Sequence, residues 1–138
     1  MRKRTQAREF ALQVLYRIDI TRDPADISLE NFWQLHGEEP VEPETKAFIE
    51  ELVRGVAENL KIIDEKITKY AANWKLERMA VVDRNVLRLS CFELMFREDI
   101  PPKVSINEAV ELAKRYSGPE AGKFVNAILD KVKIEVNR

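Results

Sequence analysis

The stretch from Leu76 to Phe96 limits the fold more than any other part of the chain. It contains no glycine and no proline. Apolar residues stand at Val82, Val86, Leu89, Phe92 and Phe96, and also at Leu87, Cys91, Leu94 and Met95. Wound into a helix, they cover most of the circumference. A helix that is apolar nearly all round is packed on several sides. This segment is therefore expected to be central, with one-faced helices layered around it. Arg84 and Arg88 lie four residues apart and share a face, with Asp83 near them in the first turn. That stripe has two readings: partly paired charge on a core helix, or a docking surface for a macromolecule.

The remaining segments read as helices too. Phe10, Ala11, Val14, Leu15 and Ile18 recur at helical spacing between Thr5 and Asp19, and Asp23-Pro24 stops that helix. Ser28 is placed to cap a short helix over Leu29 to Leu35, with Phe32 and Leu35 inward. Pro43 suits the first position of a long helix. Its apolar set runs from Phe48 through Leu52, Val56, Leu60 and Ile63 to Tyr70, with a break near Gly55 or Asn59. Ser105 and Glu108, three apart before an apolar run, have the pattern of a capping box. Gly118-Pro119 ends that helix, and a last one runs from about Gly122 to Val136, with Phe124, Val125, Ile128, Leu129 and Val132 inward. No strand pattern with a hairpin turn occurs. The expected fold is all-α, about seven helices in two packed three-helix bundles, one over about 1–73 and one over about 74–138. Together they form one domain over residues 1–138.

At 138 residues the chain can bury about two-thirds of its unfolded surface, enough for a core without disulfides or metal. The single Cys91 reads as a small buried apolar residue and fits a reducing, cytoplasmic setting. No secretory signal follows the basic start, and no run is long and apolar enough to span a membrane. One His and one Cys, far apart in sequence, give no support to a nucleophilic pair, and His/Cys metal clusters, phosphate loops and paired-carboxylate signatures are absent. Catalysis, cofactors and metals are accordingly not expected. The net charge of −1 hides an asymmetry: Arg2, Lys3, Arg4 and Arg8 make a basic arm with no acid, and the rest of the chain is net acidic. A basic arm on an acidic body points to a polyanionic partner.

Four blocks carry a family resemblance. They are Ala7 to Tyr16 (AREFALQVLY), Asp83 to Leu89 (DRNVLRL), Ile100 to Lys114 (IPPKVSINEAVELAK) and Lys123 to Lys131 (KFVNAILDK). In this order they resemble the NusB family of bacterial transcription antitermination factors. The resemblance implies two three-helix bundles and no catalysis. It implies binding of single-stranded boxA RNA in ribosomal RNA transcripts, jointly with NusE, a ribosomal small-subunit protein. It further implies entry into an RNA polymerase complex that suppresses termination. Its RNA contacts carry over to Arg2, Lys3, Arg4, Arg8, Tyr16, Lys123, Phe124 and Asn126, and its protein partner to Glu77, Asp83, Arg84 and Arg88.

The physics of these residues agrees with that placement. Arm cations neutralise phosphates. A helix start at Gly122, with Lys123, would offer bare N–H groups to a phosphate. Tyr16 or Phe124 would stack unpaired bases, and Asn126 would read a base edge. Periodicity alone leaves Phe124 in the core. The chain departs from the family pattern at Thr5-Gln6, where many relatives carry further arginine, and at Ala127, often glycine. Two other readings stand beside the first: a NusB-like RNA-targeting domain of a ribosomal RNA methyltransferase, and a helical scaffold that binds protein only. A second copy of the chain is a further candidate partner.

Overall fold

A computed structural model describes residues 3–37 and 40–138. Among these, all regular structure is helical, in seven α-helices and one 3-10 turn. The chain divides into two compact units, Met1–Glu58 and Asn59–Arg138.

The first unit holds α1 (Lys3–Thr21), α2 (Ala25–His36) and α3 (Pro43–Glu58), each packed on the other two. α1 turns Ala7, Ala11, Leu12, Val14 and Leu15 inward. They meet Phe48, Ile49, Leu52, Val53 and Val56 of the same unit in the buried core. Each buried Leu or Ile contributes roughly 1.5–3 kcal/mol, several times an exposed ion pair, so this face decides how α1 sits. α2 starts at Ala25, earlier than a Ser28 cap would allow, because Pro24 (φ −59°, ψ 151°) already sets the entry. Ser28 lies inside the first turn, its N–H donating to the Pro24 carbonyl at 3.1 Å. Leu35, expected inward, is 81% exposed. The inward end of α2 is closed by Phe32 and His36 against Phe10, with ring centroids 5.6 and 4.8 Å away. Arg54 of α3 pairs with Asp26 of α2.

The second unit holds α4 (Leu60–Tyr70), a 3-10 turn (Leu76–Arg78), α5 (Val81–Phe96), α6 (Pro102–Ser117) and α7 (Pro119–Glu135). The expected long helix after Pro43 thus breaks at Asn59, whose φ of −114° and ψ of 19° leave the helical range. α4 groups with the later helices, so this unit has four helices where three were expected, and the division falls before residue 73. α5 packs on α4, α6 and α7. Its residues from Asn85 to Leu94 are all buried, as its all-round apolar pattern requires.

α6 does not use the expected capping box. Pro102 occupies its first turn, where a missing N–H costs nothing, and Ser105 falls within the helix. There the Ser105 hydroxyl is buried and lies 2.9 Å from that of Ser90 on α5. α7 likewise starts at Pro119, before the expected Gly122. The link between them is Gly118, at φ 100° and ψ 172°, a conformation essentially reserved for glycine. Gly122 serves a different end. A Cβ there would stand 2.5 Å from Cγ of Lys114, so its bareness permits the close approach of α6 and α7.

Candidate RNA and partner interface

The basic arm is helical in its described part. Lys3 and Arg4 open α1 and Arg8 lies one turn further on. Arg2 is outside the described residues. All three described arm cations turn toward the segment from Glu42 to Phe48. Lys3 Nζ donates to Glu42 Oε2 at 2.7 Å. The Arg4 and Arg8 guanidinium carbons lie 4.6 and 5.5 Å from the Phe48 ring centroid. Positions 4 and 8 share a helix face, which lets one ring receive both. The hydrogen bond and charge of Glu42 raise the Lys3 pKa above 10.5.

Arg8 corrects the sequence reading. It is 3% exposed, so it stands in the wall of the first unit and not on an open phosphate-binding surface. Its place in the helix puts its stem beside buried Ala7, Ala11 and Leu12. Tyr16, further along α1, is 44% exposed and is available for stacking.

In the second unit Lys123 and Asn126 are exposed on α7, and Phe124 is half-buried. Among the described residues Lys123 reaches Glu120, at 3.5 Å. Phe124 meets Trp74 edge to face, with centroids 6.1 Å apart and rings at 70°. Both rings line a groove of about 340 Å³, together with Arg78, Asp83 and Glu120. Phe124 is therefore part wall and part surface. The expected anion seat at Gly122 is not formed, because its N–H already points to the Gly118 carbonyl at 3.4 Å.

The four expected partner-binding residues separate. Glu77 is exposed on the 3-10 turn, and Asp83 is half-buried in the groove with Phe124. Arg84 donates to the Leu76 carbonyl at 3.3 Å. Arg88 is 8% exposed and grips Asp64 of α4 through two bonds, Nε to Oδ1 at 2.8 Å and Nη2 to Oδ2 at 3.0 Å. It also donates to Asn85 at 3.1 Å. The two-pronged, enclosed pair straps α4 to α5, which corrects Arg88 from a docking residue to a structural one.

Sequence reasoning missed Glu42, Phe48, Asp64 and Trp74. Trp74 carried a signal, a large aromatic in a turn between helices. The other three did not, since their roles arise from contacts 24 to 44 residues distant in sequence. Cys91 is fully enclosed; burial, aided by Asp64, pushes its thiol up to about 12, so it stays protonated. Among the described residues no group of three or more His, Cys, Asp or Glu is arranged to hold a metal ion. No helix among them is long and apolar enough to cross a membrane.

A fold that is helical throughout its described regular structure, with a basic helix start and an aromatic groove, fits a class of proteins that bind macromolecules through surfaces. The NusB family model matches residues 5–133, and the chain belongs to the NusB family. It is 53% identical over 130 residues to the transcription antitermination protein NusB of Anaeromyxobacter dehalogenans strain 2CP-1, covering 94% of this chain and 89% of that protein. Among solved structures, NusB of T. maritima superposes with a TM-score of 0.87 at 38% identity, covering 98% of this chain and 92% of that one. A structure described as antitermination factors NusB and NusE in complex with dsRNA superposes at 0.86 with 29% identity, covering 98% of each chain.

Proposed function

We propose that this chain is a transcription antitermination factor that binds RNA together with NusE and acts without catalysis. The observation that carries this reading is the likeness, over 98% of both chains, to a NusB solved with NusE and double-stranded RNA. The curated relative's name, transcription antitermination protein NusB, favours an antitermination factor over an RNA-targeting role in a methyltransferase. The finer proposal is recognition of a single-stranded boxA element in ribosomal RNA transcripts, in the cytoplasm, within an RNA polymerase complex.

For the RNA contacts we propose Lys3, Arg4, Tyr16, Lys123, Phe124 and Asn126, with Arg2 added from the sequence alone. The Lys123 side chain is 76% exposed and its contact with Glu120 is long and open to solvent, so a phosphate can displace Glu120 at little cost. Tyr16 and the Phe124–Trp74 pair offer ring faces to unpaired bases. For NusE we propose Glu77, exposed on the 3-10 turn, and Asp83, half-buried in the groove, the acidic members of the expected set.

The test is binding of a short single-stranded boxA RNA by the full chain, with and without NusE, at two salt concentrations. Tighter binding with NusE and a sequence preference that persists at higher salt are expected. Salt-sensitive binding without preference, indifferent to NusE, would reduce the chain to a helical scaffold with a generic basic face.

A further inference from the structure

We propose that Glu42 is a built-in electrostatic brake on RNA binding: it holds Lys3 of the basic arm in an ion pair that an incoming phosphate must displace. The proposal rests on the RNA-binding reading above and adds a residue that opposes it.

The geometry is local to the first unit. Lys3 opens α1, and Glu42 lies just before Pro43, the first residue of α3. Their contact is 2.7 Å, with side chains 67% and 57% exposed. It is thus strong enough in geometry to occupy the ammonium and open enough for a competitor to reach it. Glu44 adds a second negative charge nearby, which strengthens the hold on Lys3.

The arm makes this contact matter. α1 has no acid in its first turn, so its N-terminal cations face the positive end of the helix dipole with no compensation from within that turn. Glu42 supplies that compensation from outside. Arg4 is already drawn over Phe48, and Arg8 is enclosed. Among the described arm cations, Lys3 is bonded directly to an exposed carboxylate. A phosphate arriving at the arm takes the place of Glu42 and then faces repulsion from the carboxylate it displaced. Glu42 therefore lowers RNA affinity while favouring the folded arm, so its two effects have opposite signs.

The test uses the full chain and a short single-stranded boxA RNA. Glu42→Gln, Lys3→Gln and the double variant are compared at about 0.05 M and about 0.5 M salt, where screening lengths differ several-fold. Glu42→Gln is expected to bind roughly two- to five-fold tighter at low salt, the range of an exposed ion pair. The gain should vanish at high salt. Lys3→Gln should bind more weakly, and the double variant should bind like Lys3→Gln.

A Glu42→Gln affinity equal to or below that of the parent would overturn the brake. So would a gain that persists in the Lys3→Gln background, since it would then come from general charge and not from this contact. If Lys3→Gln binds like the parent, Lys3 does not meet RNA and the brake is wrong, while the RNA reading stands on the parent's own affinity. If the parent itself binds no RNA, with or without NusE, the RNA reading fails and takes the brake with it. Both residues are exposed, so neither substitution removes core packing.

Discussion

Arg88 shows how much a single residue's meaning depends on what lies across from it. In the sequence it shares a helix face with Arg84 and invites a partner. In the structure its guanidinium is spent on Asp64 and Asn85. Removing one member of an enclosed pair leaves the other charge poorly solvated, which costs more than the pair contributes. Asp64 is 23% exposed, so the cost is discounted from the fully buried case. Asp64→Ala is expected to lose about 2–4 kcal/mol in urea denaturation. The double change Asp64→Leu with Arg88→Met should recover much of that loss. NusE affinity measured on the folded variants should stay at the parent value. A variant that keeps its stability but loses NusE would return Arg88 to the docking surface. Of the candidate site, what was legible in the sequence was the exposed chemistry: Tyr16, Lys123 and Asn126 are at the surface. What was not legible was pairing. Arg8 and Arg88 look as available as Lys123 in a linear text, and only the contacts with Phe48 and Asp64 separate them.

At the scale of elements, α4 and α7 are joined by a small charged knot. The Glu135 carboxylate at the end of α7 receives Lys66, Lys69 and, at 2.8 Å, the Tyr70 hydroxyl, all from α4. Hydrogen bonds from Lys66, Lys69 and Tyr70 hold Glu135 down from 4.5 to about 2. Lys69 moves the other way, above 10.5, chiefly through its bond to Glu135. For a lowered carboxylate the contribution to stability is present above the ordinary pKa and is lost as pH falls through the folded one. Glu135→Gln should therefore be less stable than the parent at pH 7. The gap should close between about pH 4.5 and pH 2 in denaturation curves. A gap independent of pH would mean that packing of the side chain, not its charge, joins the helices. Helix existence was legible because apolar spacing reports which face is buried, and α5 is the clearest instance. Helix starts were less so. Ser28, Ser105 and Gly122 each carry the marks of a start. Proline won each time, through Pro24 just before α2, Pro102 in the first turn of α6 and Pro119 in that of α7. A fixed φ and a missing donor fit a helix start whatever side chain follows, so they override a nearby hydroxyl.

For the whole molecule, the distribution of burial predicts which parts open first. The sequence foretold a central helix but not where the chain would divide. The break at Asn59 has no adjacent proline or glycine to fix it, and α4 is an amphipathic helix that could have served either side. What assigns it to the second unit is its inward Ile63 and Ile67 together with the Asp64–Arg88 strap. α5 sits deepest, with ten successive buried residues from Asn85 to Leu94 and packing against three helices of its unit. α2 sits at the other extreme, with Ser28 and Leu29 as its buried residues. Local opening costs as much as the buried contacts it breaks, so amide exchange should rank the elements by that measure. Hydrogen exchange followed by mass spectrometry is expected to show α5 peptides exchanging slowest, at the rate of global unfolding. α2 peptides should exchange far sooner, through openings that leave α5 protected. Adding RNA and NusE should then slow exchange at the start of α1 and around Trp74 and Phe124 while leaving α5 amides unchanged, because those are already limited by unfolding. If ligand instead protects α2 and leaves α1 and the aromatic groove untouched, the surface proposed for RNA is on the wrong helices, although the NusB fold itself would stand.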